Sequence, residues 1–209
     1  GKVYINRASQ QALELTTSFN QNKNTLLSVV DKTFTNMGAR LLKEWILFPL
    51  TDVEQILYRQ NGVKEFFSNI GLRNKIQQLL KNIYDIERLS AKLGSGKVNA
   101  RDLIALKDSV SVLPELKKIL SESKSITLTN IYSGIKTLET LRDYIHKSIA
   151  DDPSMILKEG DIIKDGYNNE LDELRKIKRE GKNWIVIFQN AEIKRTGINS
   201  LKISYNRIF

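Results

Sequence analysis

The chain comes nearest to recognisable chemistry at Gly94-Ser95-Gly96-Lys97, which looks like part of a phosphate-binding loop. Such a loop needs a glycine five residues before its final Gly-Lys, and a Ser or Thr after the lysine to hold magnesium. Ala91 and Val98 stand in those places, so the expectation is an interhelix turn. Asp85 and Glu87 are close in sequence. Two residues apart on a helix, however, they point to different faces, which argues against an acid–base pair and for solvated helix charges. His146, the one histidine, lies beside an apolar stripe with no nucleophile near it in sequence, and reads as a surface or satisfied residue. Zero cysteines exclude disulfides, thiolate zinc sites and thiol nucleophiles, and a single histidine excludes multi-histidine metal sites. No catalytic, cofactor-binding or metal-binding residue is expected.

What remains is charge. The net +9 is uneven: residues 176–209 hold eight basic and two acidic side chains, a net +6, which leaves +3 for the other 175 residues. A surface for a polyanion therefore belongs at the C-terminal end. Lysine-rich solvated faces are common, so charge alone does not distinguish that surface from a solubilising one.

The elements that must carry this charge are mostly helical. With 209 residues, 41% hydrophobic, 27% charged and three prolines, the chain is a soluble globular protein of one domain or slightly more. Thr51 and Glu54 are placed as a capping box, followed by an apolar face of Val53, Ile56, Leu57, Val63, Phe66 and Phe67, with Gly71 as the stop. Asn99 with Asp102 opens a further helix, and Pro114 either kinks it or starts another. Ile131, Ile135, Leu138, Leu141, Ile145 and Ile149 form a longer stripe. Residues 156–166 look short and β-like between turn signals. A highly charged helix follows from about Asn168 to a stop at Gly197, with a locally β-prone stretch at 184–188. Leu201, Ile203 and Tyr205 then alternate with Lys202, Ser204 and Asn206 as a strand would, so the chain is expected to stop inside a larger domain. No apolar run reaches the ~18 to 20 residues of a membrane span, and GKVYINRASQ lacks the apolar centre of a signal peptide. The expected localisation is cytoplasmic.

Two blocks resemble a known family, the MutS-type DNA mismatch repair proteins. The first covers 24–120, with NTLLSVVDKTFTNMGARLLKEWILFPLTDVEQILYRQNGV and YDIERLSAKLGSGKVNARDLIALKDSVSVLPELKKIL, and is similar to the start of that family's helical lever, or core, domain. INRASQQALEL before it resembles the connector that enters the lever. The second block, DIIKDGYNNELDELRKIKREG and AEIKRTGINSLKISYNRIF, resembles the passage from lever into clamp. Thr35, Met37-Gly38, Arg40-Leu41-Leu42, Trp45, Pro49-Leu50, Arg59, Asp85, Glu87-Arg88, Gly166-Tyr167, Leu171-Asp172 and the run from Thr196-Gly197 to Asn206 carry the match.

The resemblance implies a mainly α fold: a helical bundle lever domain with a long helix leading to a small, truncated β-containing clamp. Its divisions would be a connector-like segment at 1–23, the first half of the lever at 24–181 and a partial clamp at 182–209. It also implies a full-length homodimer that senses mispaired or unpaired bases, uses ATP and magnesium, and works with a downstream repair partner. The family's mismatch-reading Phe-x-Glu and its P-loop domain have no counterpart in these 209 residues. Beyond the last strand the family completes a small sheet and returns down a second long helix. A helix over 168–196 would span roughly 40 Å, long enough to carry a gripping tip away from a body. At that tip Lys194, Arg195, Lys202, Asn206 and Arg207 suit contacts to the phosphates of double-stranded DNA, which position without reading sequence. Arg59, Arg88 and Asp85 are expected instead in ion pairs or caps inside the lever. Without the resemblance, the same sequence reads as a helical protein-interaction scaffold with a basic solvated tail.

Overall fold

The computed structural model describes residues 1–18 and 24–204, and the chain divides into two compact units, Gly1–Ile162 and Ile163–Phe209. Among the described residues there are eleven α-helices and no strand. The first unit holds α1 (Arg7–Ala12), α2 (Leu26–Val30), α3 (Asn36–Leu47), α4 (Val53–Ser68), α5 (Ile70–Leu80), α6 (Ile86–Gly94), α7 (Ala100–Ser111), α8 (Leu113–Leu120), α9 (Ile126–Gly134) and α10 (Glu139–Ser148). The second holds α11 (Asn169–Thr196).

Side-chain caps set most of the helix starts. Asn99 and Asp102 form a reciprocal capping box on α7, as the sequence predicts. Asn69 closes α4 by donating its backbone N–H to the Glu65 carbonyl at 2.8 Å. Its side chain opens α5 by accepting from the Leu72 N–H at 3.0 Å. Gly71, expected as a stop, therefore lies inside the first turn of α5. At α4 the cap is Asp52, not Thr51: the Asp52 carboxylate accepts from the N–H groups of Glu54 and Gln55. Thr51 is taken up by the N-terminal segment, its N–H donating to the Gly1 carbonyl at 3.1 Å beside an isolated antiparallel bridge between Lys2 and Leu50. Pro114 sits in the first turn of α8, where its missing N–H costs no helical hydrogen bond.

One apolar cluster joins Leu72 and Ile76 of α5, Leu116 and Leu120 of α8 and Leu128 of α9. Phe66, Leu79, Leu113 and Tyr132 pack around it half-buried. Elsewhere in the unit α7 packs on α10, and Leu106 and Val110 of α7, Ile145 of α10 and its C-cap Ile149 are all buried. Ser109 is fully buried there and satisfied twice, donating to the Ala105 carbonyl at 2.7 Å and accepting from the Tyr84 N–H at 2.9 Å. Glu65 of α4 pins the α8–α9 turn by accepting from the N–H groups of Lys124 (2.9 Å) and Ser125 (2.7 Å).

Three further expectations are corrected. The stripe from Ile131 to Ile149 is two helices: α9 stops at Gly134, and Leu138 takes a left-handed φ of +52° to start α10. Lys117 secures the break by donating to the Ile135 carbonyl at 2.9 Å, a tertiary contact that periodicity cannot foresee. Residues 156–166 form a 3-10 turn at Leu157–Glu159 rather than strands. Positive φ at Gly160, Asp161 and Gly166 confines β pairing in the segment to one bridge residue, Ile163. The apolar face assigned to α4 is mostly open, because Val53, Leu57, Val63 and Phe67 are exposed. What α4 buries is Gly62: a Cβ there would lie 3.1 Å from Thr127 Cγ2 of α9, while the Thr127 hydroxyl donates to the Tyr58 carbonyl.

Candidate nucleic-acid interface

In the second unit, α11 runs for 28 residues, about 42 Å at 1.5 Å per residue. It passes unbroken through the β-prone stretch at 184–188, since one continuous helix satisfies every backbone group there. Its start is fixed by short-range chemistry. Asn168 accepts from the Leu171 N–H at 2.9 Å. Asp172 reaches back to accept from the Gly166 N–H at 2.8 Å, and Gly166 holds a φ of +83°. Arg175 ties the approach segment down by donating to Asp165 (2.7 Å) and to the Ile163 carbonyl (2.8 Å). Gly166, Leu171 and Asp172 of the resemblance are thus parts of one helix-starting device.

The far end is the cationic one. Gly197, at φ +72°, closes the helix by donating its N–H to the Ile193 carbonyl at 2.8 Å. Lys194 and Arg195 lie in the last turn, where the helix dipole favours positive charge. Lys194 is exposed. Arg195 is held by Glu192 (closest contact 2.7 Å), which draws the Glu192 carboxyl below its usual range. Phosphate would have to compete with Glu192 for this guanidinium. Lys202 is exposed on a segment drawn back along the helix, where the Ile203 N–H donates to Gln189 Oε1 at 2.9 Å. The alternation expected of the last strand is present in burial, with Leu201 and Ile203 half-buried and Lys202 and Ser204 exposed, but no ladder forms among the described residues. Asn206 and Arg207, like Tyr205, lie outside the described residues.

In the first unit the sequence-derived view of the acidic pair is overturned. Arg40 of α3 donates to Asp85 through both terminal nitrogens (2.6 and 2.8 Å) and also reaches Glu87. The two carboxylates converge because Asp85 is the N-cap of α6, outside the helical register that would separate it from Glu87. Asp85 is only 11% exposed, and Arg40 holds its carboxyl down at about 2. Arg88 completes the cluster at 3.4 Å, so Asp85 and Arg88 sit in the ion pairs expected of them. Arg59 does not: its guanidinium lies 3.7 Å above the Trp45 ring. Sequence reasoning assigned Arg40 no role. Its partners stand 45 and 47 residues away, and only its place among the residues of the family resemblance marked it.

This cluster predicts a pH dependence. A carboxyl whose folded pKa lies below its unfolded value stabilises the fold above the unfolded value, and that stabilisation is lost as pH falls through the folded one. Resistance to urea should therefore fall between pH about 4 and about 2. Arg40→Gln should lower the plateau near neutrality and flatten that part of the profile by the same amount, leaving stability below pH about 2 little changed. An unchanged acid limb would refute the pairing.

Gly94-Ser95-Gly96 is the turn that ends α6, with Gly96 at φ +67°. His146 is exposed in the last turn of α10. Among the described residues no group of three or more His, Cys, Asp or Glu is placed to hold a metal ion, and no helix is long and apolar enough to cross a membrane. At the described end of α11 the cationic groups are Lys194, Arg195 and Lys202, donors of the type that phosphate oxygens accept from.

The family model "MutS domain III" matches residues 8–202, and the chain belongs to that family. It is similar to the DNA mismatch repair protein MutS of Clostridium perfringens, 44% identical over 207 residues, 98% of this chain and 23% of that protein. It is equally similar to the DNA mismatch repair protein MutS of Alkaliphilus oremlandii, 44% identical over 210 residues, 100% of this chain and 24% of that protein. The chain thus spans about a quarter of the length of the curated relatives it matches.

Proposed function

We propose that this chain is a non-catalytic part of a DNA mismatch repair protein, comprising the first half of the lever (24–181, after a connector-like segment at 1–23) and a partial clamp (182–209). It grips duplex DNA without regard to sequence. Lys194, Arg195, Lys202, Asn206 and Arg207 hold the phosphates. The observation that supports this reading is a 28-residue helix that, with the segment after it, carries most of the net charge of the chain, +6 of +9 over residues 176–209.

In the full-length protein, which would be a cytoplasmic homodimer with a downstream repair partner, the long helix couples mismatch sensing at one end to ATP and magnesium chemistry at the other. That chemistry lies outside these residues. The isolated chain should accordingly show no saturable nucleotide binding at micromolar concentration in equilibrium dialysis, since no complete phosphate loop can be assembled from it. Titration of homoduplex and mismatch duplex at several salt concentrations tests the grip itself, and equal, salt-sensitive affinities are expected.

A second reading, a helical scaffold for another protein, is favoured by one observation. An apolar groove of about 550 Å³ opens between α4 and α9, lined by Tyr58, Val63, Phe66 and Ile131, with Trp45 and Arg59 at its side. DNA binding no stronger than that of any protein of similar charge would favour the scaffold.

A further inference from the structure

From Gly181 to Phe209 the sequence holds five basic residues and a single acid, Glu192. That acid is committed to one of the tip cations. Arg195 Nε donates to both Glu192 oxygens (3.2 and 3.0 Å) and Nη2 donates to Oε2 at 2.7 Å, so one carboxylate takes up a whole edge of the guanidinium. The side chains of Lys194 and Lys202 make no ion pair among the described residues. The three cations are therefore not equivalent.

Glu192 lies close to the C-terminus of α11, where the backbone dipole disfavours negative charge, so helix stability alone does not call for an acid there. Burial does not enforce the pair either. The Arg195 side chain is 72% exposed, and an exposed pair three residues apart is weak and screened by salt. It can hold Arg195 in the free chain and still be displaced. A phosphate oxygen accepts from the same N–H fork as a carboxylate, so the two cannot share the Nε edge. The opposite edge, Nη1 with the second hydrogen of Nη2, stays open. The bound carboxylate, however, already offsets the charge that would draw a phosphate to that edge. When Arg195 turns to a phosphate, one contact is gained and one ion pair is lost, and the net gain in affinity is small.

We propose that Glu192 restrains the grip on DNA: it holds Arg195 back in the free chain, and Arg195 joins the phosphate contacts only by giving up Glu192. The inference rests on the DNA-gripping reading and adds to it the residue that sets its strength. Lys194 and Lys202 are available to phosphate at once, and Arg195 is held in reserve.

Titration of one duplex with the wild-type chain, Glu192→Gln, Arg195→Ala and the double variant, between about 50 and about 200 mM salt, tests this. Glutamine keeps the size of the side chain and removes its charge. Glu192→Gln should bind about five-fold tighter, near the upper end of what an exposed ion pair is worth. Its slope of log K against log salt should steepen by about one unit, as one added phosphate contact requires. Arg195→Ala should weaken the wild-type chain by no more than about two-fold but the Glu192→Gln chain by about ten-fold. In the Arg195→Ala background, Glu192→Gln should change little. Circular dichroism should show the helix retained in every variant. A gain from Glu192→Gln that persists without Arg195 would be an effect of net charge alone and would overturn the proposal. Weaker binding by Glu192→Gln would overturn it too, because Glu192 would then be orienting Arg195 toward phosphate. Lys202→Ala, titrated alongside, separates this result from the grip itself. If that variant and all the others bind no better than any protein of similar charge, the grip reading falls and this inference with it. A grip weakened by Lys202→Ala, with independent effects at Glu192 and Arg195, would remove the inference alone.

Discussion

Raising salt from about 50 to about 200 mM should lower the affinity of this chain for duplex DNA by roughly 16- to 64-fold, the loss that two or three neutralised phosphates dictate. Each phosphate contact releases condensed counterions, so log K falls against log salt with a slope of about −0.9 per contact, here roughly −2 to −3. Replacing Lys202 and Arg207 together by alanine should make the slope shallower by up to about two units if both reach phosphate. Replacing Arg101 and Lys107 should do much less. Arg101 already donates to the Pro153 carbonyl at 3.1 Å, and Lys107 pairs with Asp108 at 3.3 Å. A mismatch should make no difference, since phosphate contacts carry no sequence information. A tenfold preference for mismatch, or equal damage from the Arg101 and Lys107 changes, would remove the basis for placing the grip at the end of α11.

The largest effect on stability is expected at Leu128, 2% exposed where α5, α8 and α9 meet. Leu128→Ala should cost about 3 to 5 kcal/mol, because Leu72 and Ile76 of α5 and Leu116 and Leu120 of α8 cannot collapse on the space without moving the backbones of those two helices. Val63→Ala, on the open face of α4, should stay within about 0.5 kcal/mol. The two compact units need not unfold together, so the measurement should report on the first alone. Of the chain's two tryptophans only Trp45 lies in that unit, so urea unfolding followed by fluorescence in a Trp184→Phe background isolates it. A Leu128→Ala loss below about 1 kcal/mol would show that this cluster is not the core of the bundle.

What could be read from sequence was local. Asn99 with Asp102, Asn168 with Leu171 and Gly197 with Ile193 each complete their hydrogen bonds within four residues, so residue type and spacing are enough to place them. The unbroken α11 and the family itself belong here too, the latter because many such local features recur in order. What escaped was tertiary. Asp85 and Glu87 were separated by a helix rule that stops applying one residue before the helix, and Arg40 comes from another element. The Lys117 contact that secures the 135–138 break and the Thr51 contact that moves the α4 cap to Asp52 depend on chain neighbours 18 and 50 residues distant. At the candidate interface, the charge of Lys194 and Lys202 was legible, whereas the claim of Glu192 on Arg195 needed rotamers.

Asn69 has a final consequence. Because one residue both ends α4 and begins α5, no slack lies between the two helices. Chain length is therefore fixed there: one residue inserted inside α5 ahead of Leu72 would turn the rest of that helix by about 100° relative to its cap. Leu72 and Ile76 would then leave the layer they share with Leu116, Leu120 and Leu128. Residues 135–138, between α9 and α10, form a separate four-residue connection that can absorb such a change. Variation in length among related chains should accordingly collect at that connection and avoid Asn69, a pattern set by geometry before any selection for activity.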